Sequence, residues 1–114
     1  MSAASLSRRL TNSAAVFAAL GDGTRLRLVA RLTASGPASI TRLASGGRVT
    51  RQAITKHLRV LEGAGLAHAR RHGREQLWEL DATPLDYARA CLDLISHQWE
   101  QALRRLKAFV EGQG

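Results

Sequence analysis

Three features are scarce in this sequence of 114 residues, and each scarcity excludes a class of protein. The single cysteine, Cys91, excludes an intramolecular disulfide framework, so we expect a reducing, cytoplasmic compartment. Only two prolines in a chain rich in Ala and Leu favour helices. No stretch approaches the roughly eighteen apolar residues that a membrane span requires, so we expect no membrane partner.

The charge of the chain is strongly basic and unevenly placed. Seventeen Lys and Arg residues against nine Asp and Glu give a net charge of +8, and 45% of the residues are hydrophobic, which suits one globular domain over residues 1–114. Residues 39–76 carry eight cations and two acids, whereas residues 77–114 carry four cations and six acids. A basic balance points to a polyanion, and its position predicts contact through the middle of the chain.

Apolar periodicity and turn residues predict a mainly α fold with one small β-hairpin (α+β). The predicted helices cover about 5–20, 23–33, 40–44, 51–63 and 83–111, with a hairpin at 66–80. Asp22, Ser39 and Thr50 are the expected N-caps of the second, third and fourth helices. In the second helix the residues expected to point inward are Leu26, Val29, Ala30 and Leu32.

The segment RVTRQAITKHLRVLEGAGL, residues 48–66, combines an apolar stripe with an outward face that has no acid before Glu62. Ile54, Leu58 and Leu61 fall within about 60° of one another on a helical wheel and predict the buried side. Gln, Lys and Arg on the opposite side are suited to adenine and guanine edges in the major groove. Residues 39–63 are therefore predicted to form a helix-turn-helix; a solvated amphipathic helix is the alternative.

The predicted hairpin, residues 66–80, places basic side chains around a tip at Gly73. A basic wing of this kind reaches phosphates or the adjacent minor groove. We therefore expect double-stranded DNA as a partner, contacted by both elements. The predicted DNA-binding residues are Thr50, Arg51, Gln52, Thr55, Lys56, His57, Arg59, Arg70, Arg71 and Arg74.

The last predicted helix, residues 83–111, repeats apolar residues every three or four positions for seven turns. One domain of this size has little left to cover so long a stripe, so a second copy of the chain is the expected cover. The alternative is a helix that folds back on its own domain. The predicted dimer contacts, with two from the first helix, are Leu10, Phe17, Leu85, Leu92, Ile95, Trp99, Leu103 and Leu106.

Two segments resemble the ArsR/SmtB-type winged helix-turn-helix repressors of bacteria. FAALGDGTRLRLVARL (17–32) is similar to the family's Leu-x-Asp-x-Thr-Arg signature, although Gly23 stands where proline is common. VTRQAITKHLRVLEGAGL (49–66) is similar to its recognition helix. The resemblance spans roughly residues 14–110. It implies five helices plus a two-stranded wing, dimerisation through the first and last helices, and repression from a palindromic operator that an effector relieves.

The sequence does not reproduce the family's metal sites. The Cys-x-Cys pair of the third helix is replaced by Ser39-Ile40-Thr41, which excludes thiolate ligation there. Asp93, His97 and Glu100 share a helical face and are weak metal candidates, but a solvated charged face is the favoured interpretation. A metal- or thiol-responsive sensor is an alternative. In the thiol-responsive case Cys91 would sense oxidants or electrophiles, but an isolated cysteine of this kind is usually a small buried hydrophobe. We predict no cofactor, and the effector stays unidentified.

Two other classes of protein fit the sequence less well. An enzyme would need a convergent polar site, and the histidines, the cysteine and the acids show no nucleophile–base or metal spacing. A basic protein- or membrane-surface module would explain the charge, but the last helix is net acidic, the reverse of a membrane-surface helix. The sequence therefore predicts a sequence-specific DNA-binding transcriptional regulator.

Overall fold

A computed structural model describes residues 2–112, along which five helices and one two-stranded sheet are formed. The elements in chain order are α1 (Ala3–Leu20), α2 (Gly23–Ser35), α3 (Ile40–Ala44), α4 (Arg51–Gly63), β1 (Ala67–His72), β2 (Glu75–Leu80) and α5 (Thr83–Gly112). This architecture confirms the predicted mainly α fold with a single hairpin between the fourth and fifth helices.

Side-chain caps fix where the helices begin. Asp22, Ser39 and Thr50 each accept a hydrogen bond from the backbone N–H three residues later, as predicted. Ser2 does the same for α1, which therefore starts two residues earlier than the periodicity indicated. Such caps satisfy backbone donors that have no partner within the helix.

The core forms where α4 meets the other helices and the base of the hairpin. Leu58 and Leu61 are fully buried and Ile54 is nearly so, which confirms the predicted inner side of α4. Trp78 is also fully buried. Its backbone exchanges two hydrogen bonds with Ala38, at 3.0 and 2.8 Å, which attach β2 to the connection between α2 and α3.

α2 buries a different stripe from the predicted one. Leu28 and Leu32 are buried, whereas Leu26 is 49% exposed and Ala30 is exposed. The prediction that Leu26 and Ala30 point inward is therefore wrong. Apolar residues lie close together along this helix, so its sequence fits two neighbouring stripes. Packing against α1, α4 and β2 selects the stripe of Leu28 and Leu32.

The hairpin is antiparallel, with a register that runs from Ala67 opposite Leu80 to His72 opposite Glu75. Gly73 begins the two-residue turn with φ of 63°, a conformation that residues with a side chain rarely adopt. The predicted tip of the hairpin is therefore confirmed, and the side chains of β1 next to it project into solvent.

α5 packs along α1 and then extends beyond the rest of the protomer. Ala88 and Cys91 near its start are buried and Leu94 is half-buried, whereas the large apolar residues from Ile95 onward are exposed. The protomer is 70 Å long with a radius of gyration of 19.4 Å. A compact domain of this length would have a radius of about 13 Å. Within residues 2–112, no helix combines the length and the apolar character that crossing a membrane requires.

Candidate nucleic-acid interface

The outward face of α4 carries polar and basic side chains on a rigid support. Arg51, Gln52 and Lys56 are exposed, while the opposite face of the helix lies in the core. Among residues 2–112, neither Arg51 nor Lys56 forms an ion pair. Both cations are therefore available to an external anion.

Two threonines of this region use their hydroxyl groups to shape the start of α4. The Thr50 hydroxyl accepts the N–H of Ala53 at 3.1 Å, and the Thr55 hydroxyl donates to the carbonyl of Arg51 at 2.9 Å. Each hydroxyl oxygen keeps hydrogen-bonding capacity beyond the bond it makes. Both threonines therefore support the first turns of the helix, where the predicted DNA contacts are concentrated.

His57 differs from the other predicted DNA contacts because its side chain turns toward α2. Its Nδ1 lies 3.3 Å from Nη1 of Arg25 and 3.8 Å from the carboxylate of Asp22, and the residue is half-buried. The backbone N–H of Arg25 lowers the pKa of Asp22, and the charges of Arg25 and His57 lower it further. The DNA contact expected of His57 stays a prediction, and in the free protein Nδ1 of its ring faces α2.

Arg59 lies on the side of α4 that faces the hairpin. Its Nη1 donates to the carboxylate of Glu62 at 2.9 Å, and its guanidinium carbon lies 5.2 Å from the centre of the Trp78 ring. The side chain is still 56% exposed. Arg59 thus joins the helix to the sheet, and part of its charge is offset by Glu62.

The arginines of the hairpin fall into two groups. Arg71 and Arg74 are exposed and form no ion pair within the part of the chain that the structure describes. Nε of Arg70 lies 3.1 Å from one carboxylate oxygen of Glu79. The other oxygen of this carboxylate lies 2.9 Å from Nε2 of His68. The hydrogen bond from Arg70, and a smaller effect of His68, lower the pKa of Glu79 below its ordinary value. Glu79 is therefore ionised at neutral pH and offsets Arg70.

The second predicted surface is the apolar side of α5 that α1 leaves uncovered. We call it the α5 stripe. Its residues are 38–66% exposed and comprise Leu92, Ile95, Trp99, Leu103, Leu106, Phe109 and Val110. Leu85 and Phe17 instead pack partly against the core of their own protomer, and Leu10 is half-buried. Phe109 and Val110 are not among the predicted dimer contacts, although their spacing of three and four residues from Leu106 indicates both.

The weak metal candidates on α5 do not assemble in the protomer. Asp93, His97 and Glu100 are all exposed, and Glu100 lies 3.8 Å from Arg104 in an ion pair. Across residues 2–112, no three His, Cys, Asp or Glu side chains converge in a group that could hold a metal ion. These three side chains therefore lie on an exposed, charged face of α5.

Cys91 is 2% exposed and its Sγ lies 3.7 Å from the Ser13 hydroxyl. The two side chains line a cavity of about 650 Å³ between α1, α5 and the end of α4. Cys91 is therefore buried, the position expected of a cysteine that acts as a small hydrophobe.

Comparisons with known proteins agree with this geometry. A helix-turn-helix domain family matches residues 20–70, which contain α3, α4 and the start of the hairpin. An HTH-type transcriptional regulator of Mycobacterium tuberculosis is 38% identical over 96 residues, which cover 84% of this chain and 86% of the relative.

Solved structures show the same likeness. An ArsR-like transcriptional regulator from Rhodococcus sp. RHA1 superposes with a TM-score of 0.77 at 33% identity, covering 87% of this chain and 92% of that one. A homodimeric winged helix-turn-helix DNA-binding domain from Mycobacterium bovis superposes with a TM-score of 0.57 at 27% identity, covering 80% of this chain and 82% of that one. With the hairpin placed directly after the helix-turn-helix, the chain belongs to the ArsR-type family of winged helix-turn-helix transcriptional regulators, a family of DNA-binding proteins and not of enzymes.

Proposed function

We propose that this regulator is a homodimer that binds a palindromic operator and represses transcription. The observation that carries the proposal is the outward face of α4, where Arg51, Gln52 and Lys56 are exposed without an acidic partner among the described residues. In a helix-turn-helix, the N-terminal side chains of the second helix enter the major groove.

Each side chain of this face has a chemical role in the proposal. Gln52 reads adenine through its amide, and Lys56 donates to the guanine edge. Arg51 contacts the phosphate backbone, which fixes the register of the helix on the duplex. Thr50 and Thr55 support that first turn, and the Thr50 hydroxyl, whose proton is not used within the helix, donates to a phosphate.

The wing supplies a second set of phosphate contacts in the same proposal. Arg71 and Arg74 make them, because their charges are not offset inside the protomer. Arg70 and Arg59 add positive potential, but the carboxylates of Glu79 and Glu62 reduce it. Contacts to phosphate carry affinity and little sequence information, so specificity rests on α4.

The α5 stripe supports the homodimer. Seven apolar side chains on one helix form a larger exposed patch than a monomer in water usually keeps, and a two-fold axis would bury it against its own copy. The relative from Mycobacterium bovis is a homodimer with the same fold. Two copies would present two recognition helices to half-sites about 34–36 Å apart, one turn of DNA. A dimer seated on such a site within a promoter would exclude the polymerase.

The test is selection of duplexes from a random library by the purified chain, followed by sequencing and sedimentation of the complex. The expected product is an inverted repeat that binds two chains. If no sequence is enriched, the proposed operator is contradicted. If a single half-site that binds one chain is enriched, the proposed dimer is contradicted.

A further inference from the structure

Arg25, near the start of α2, contacts two other helices through its guanidinium group. Its Nε donates to the carbonyl of Ala19 at 2.6 Å, and its Nη2 donates to the carbonyl of Ala18 at 3.4 Å. Its Nη1 lies 3.3 Å from Nδ1 of His57. One half-buried side chain therefore touches the end of α1 and the middle of α4 together.

The contact with α1 is electrostatically favourable. Ala18 and Ala19 lie in the last turn of α1, where carbonyl groups lack the usual partner four residues later, although that of Ala18 also accepts the N–H of Gly21 at 3.2 Å. These carbonyls form the negative end of the helix dipole, which a cation stabilises. Arg25 therefore binds the C-terminal end of α1 and adds two hydrogen bonds there.

The contact with α4 is made through the ring of His57. A guanidinium has only donors, so Arg25 donates to Nδ1 of His57 when that nitrogen carries no proton. The carboxylate of Asp22 lies 3.8 Å from the same Nδ1 and accepts the backbone N–H of Arg25 at 3.0 Å. Asp22, Arg25 and His57 thus form a small polar cluster between α1, α2 and α4, which we call the α2 clamp.

Neighbouring arginines show that this arrangement is specific to its position. Arg27 is exposed, and its one side-chain hydrogen bond among the described residues is to Thr24 on its own helix, at 3.2 Å. Arg31 donates to the carbonyls of Arg42 and Leu43 at the end of α3, at 2.7 and 2.8 Å. Arg25 and Arg31 therefore hold the flanking helices to α2, whereas Arg27 is a matched cation without this role.

We propose that Arg25 is a positioning residue that sets the angle between α4 and α1 through the α2 clamp. Because α1 packs along α5, the helix that carries the proposed dimer surface, this angle sets how far apart the two recognition helices lie and how they are rotated. Arg25 would thereby determine which half-site spacing the dimer accepts. The spacing argument rests on the proposed function, whereas the angle itself does not.

The first test measures spacing. The affinity of the whole chain is measured for the selected inverted repeat and for versions of it that are one or two base pairs longer or shorter at the centre. Each base pair changes the separation by about 3.4 Å and rotates one half-site against the other. We expect the unchanged chain to lose about tenfold in affinity per altered base pair, the scale of a lost specific contact. Arg25→Ala should bind the preferred repeat less tightly and lose most of this discrimination, and Arg27→Ala should behave like the unchanged chain.

The second test needs no DNA. Spin labels report the distance between α1 and α4 when they are attached to Thr11→Cys and Val60→Cys. The labelled chain also carries Cys91→Ala, and it is diluted with unlabelled chain so that each dimer holds one labelled copy. We expect one narrow distance distribution in the unchanged chain and in Arg27→Ala, and a broader or displaced one in Arg25→Ala. If Arg25→Ala does not fold, Arg25→Lys replaces it, because lysine keeps the charge but lacks the planar fork that joins three acceptors.

The outcomes separate this inference from the proposed function. An unchanged distance distribution in the Arg25 variant overturns the positioning role whether or not an operator is found. An equal loss of affinity at every spacing also overturns it, because a merely weakened fold would act in that way. Failure of the unchanged chain to select an inverted repeat refutes the operator instead, and the distance measurement still decides the role of Arg25.

Discussion

The guanidinium of Arg59 lies over the indole of Trp78, 5.2 Å from the ring centre, and joins the recognition helix to the wing. Trp78 is fully buried and its backbone is bonded to Ala38, so the indole is a fixed platform. Glu62 accepts a hydrogen bond from Nη1 of the same guanidinium at 2.9 Å. This contact therefore holds α4 against the hairpin, and these are the two elements proposed to bind DNA.

The stack predicts a loss of stability when it is removed. Arg59→Ala should lower the free energy of unfolding by about 0.5–1 kcal/mol, the usual worth of a cation–π contact at a partly exposed site. Chemical denaturation followed by circular dichroism measures this change. Arg74→Ala is the matched control, because Arg74 lies at the exposed wing tip, and it should leave stability unchanged. Equal losses in the two variants would show that the stack contributes nothing.

The division of labour between α4 and the wing predicts two different binding defects. Gln52→Ala should relax the preference at one base pair by about 1–3 kcal/mol, because a bidentate amide contact is lost. Arg71→Ala should weaken binding to all duplexes alike and reduce the dependence on salt. Titrations with the selected repeat and with single-base variants measure both effects. Equal losses on specific and random DNA for Gln52→Ala would refute its role as a base reader.

The carboxylate in the wing predicts a variant that binds DNA more tightly. Glu79→Gln removes the charge that offsets Arg70, so affinity should rise and the log–log salt slope should steepen by about 0.9, the value of one further phosphate contact. The control is Glu111→Gln, since Glu111 pairs with Lys107 near the far end of α5. Unchanged affinity in Glu79→Gln would mean that Arg70 does not reach the duplex.

The carboxylate of Glu79 also predicts how the stability of the fold changes with pH. Its pKa is lowered from 4.5 by Arg70 first and by His68 next, so the ion pair contributes stability above pH 4.5. That contribution is lost only as the pH falls through the lower folded value. The stability difference between the unchanged chain and Glu79→Gln should therefore shrink as the pH falls below 4.5. A difference that grows below pH 4.5 would contradict this assignment.

The exposed stripe on α5 predicts a sharp difference between two leucines of equal exposure. Leu103 on the α5 stripe and Leu26 on α2 are each 49% exposed. Leu103→Asp should dissociate the dimer, because a carboxylate would be buried without a partner, whereas Leu26→Asp should leave it intact. Sedimentation velocity at matched concentrations measures the result. Dissociation by both changes, or by neither, would place the interface elsewhere.

Much of α4 could be predicted from the sequence because its local signals agree. Thr50 is a good cap, the apolar residues keep one helical period, and the stripe of Ile54, Leu58 and Leu61 is buried as expected. The outward position of Gln52 then follows from geometry alone. Strong periodicity with a cap at its start specifies both the helix and its inner face.

The role of His57 could not be predicted in the same way. A helical wheel places the residue on the helix but does not show which neighbour it meets, and here it meets Arg25 from a distant part of the sequence. Arg25 and Arg31 likewise count as positive charges in the sequence, yet both bind backbone carbonyls inside the protomer. Only tertiary packing separates cations that hold helices together from cations that are free to bind DNA.

The most direct test of the account is the salt dependence of duplex binding, measured together with the stoichiometry of the complex. Fluorescence anisotropy with the selected repeat across a range of salt concentrations supplies the slope, and sedimentation supplies the number of chains. About six to ten phosphate contacts predict a log–log slope of roughly −5 to −9, with two chains on each duplex. An affinity that does not change with salt, or one chain per duplex, would contradict it.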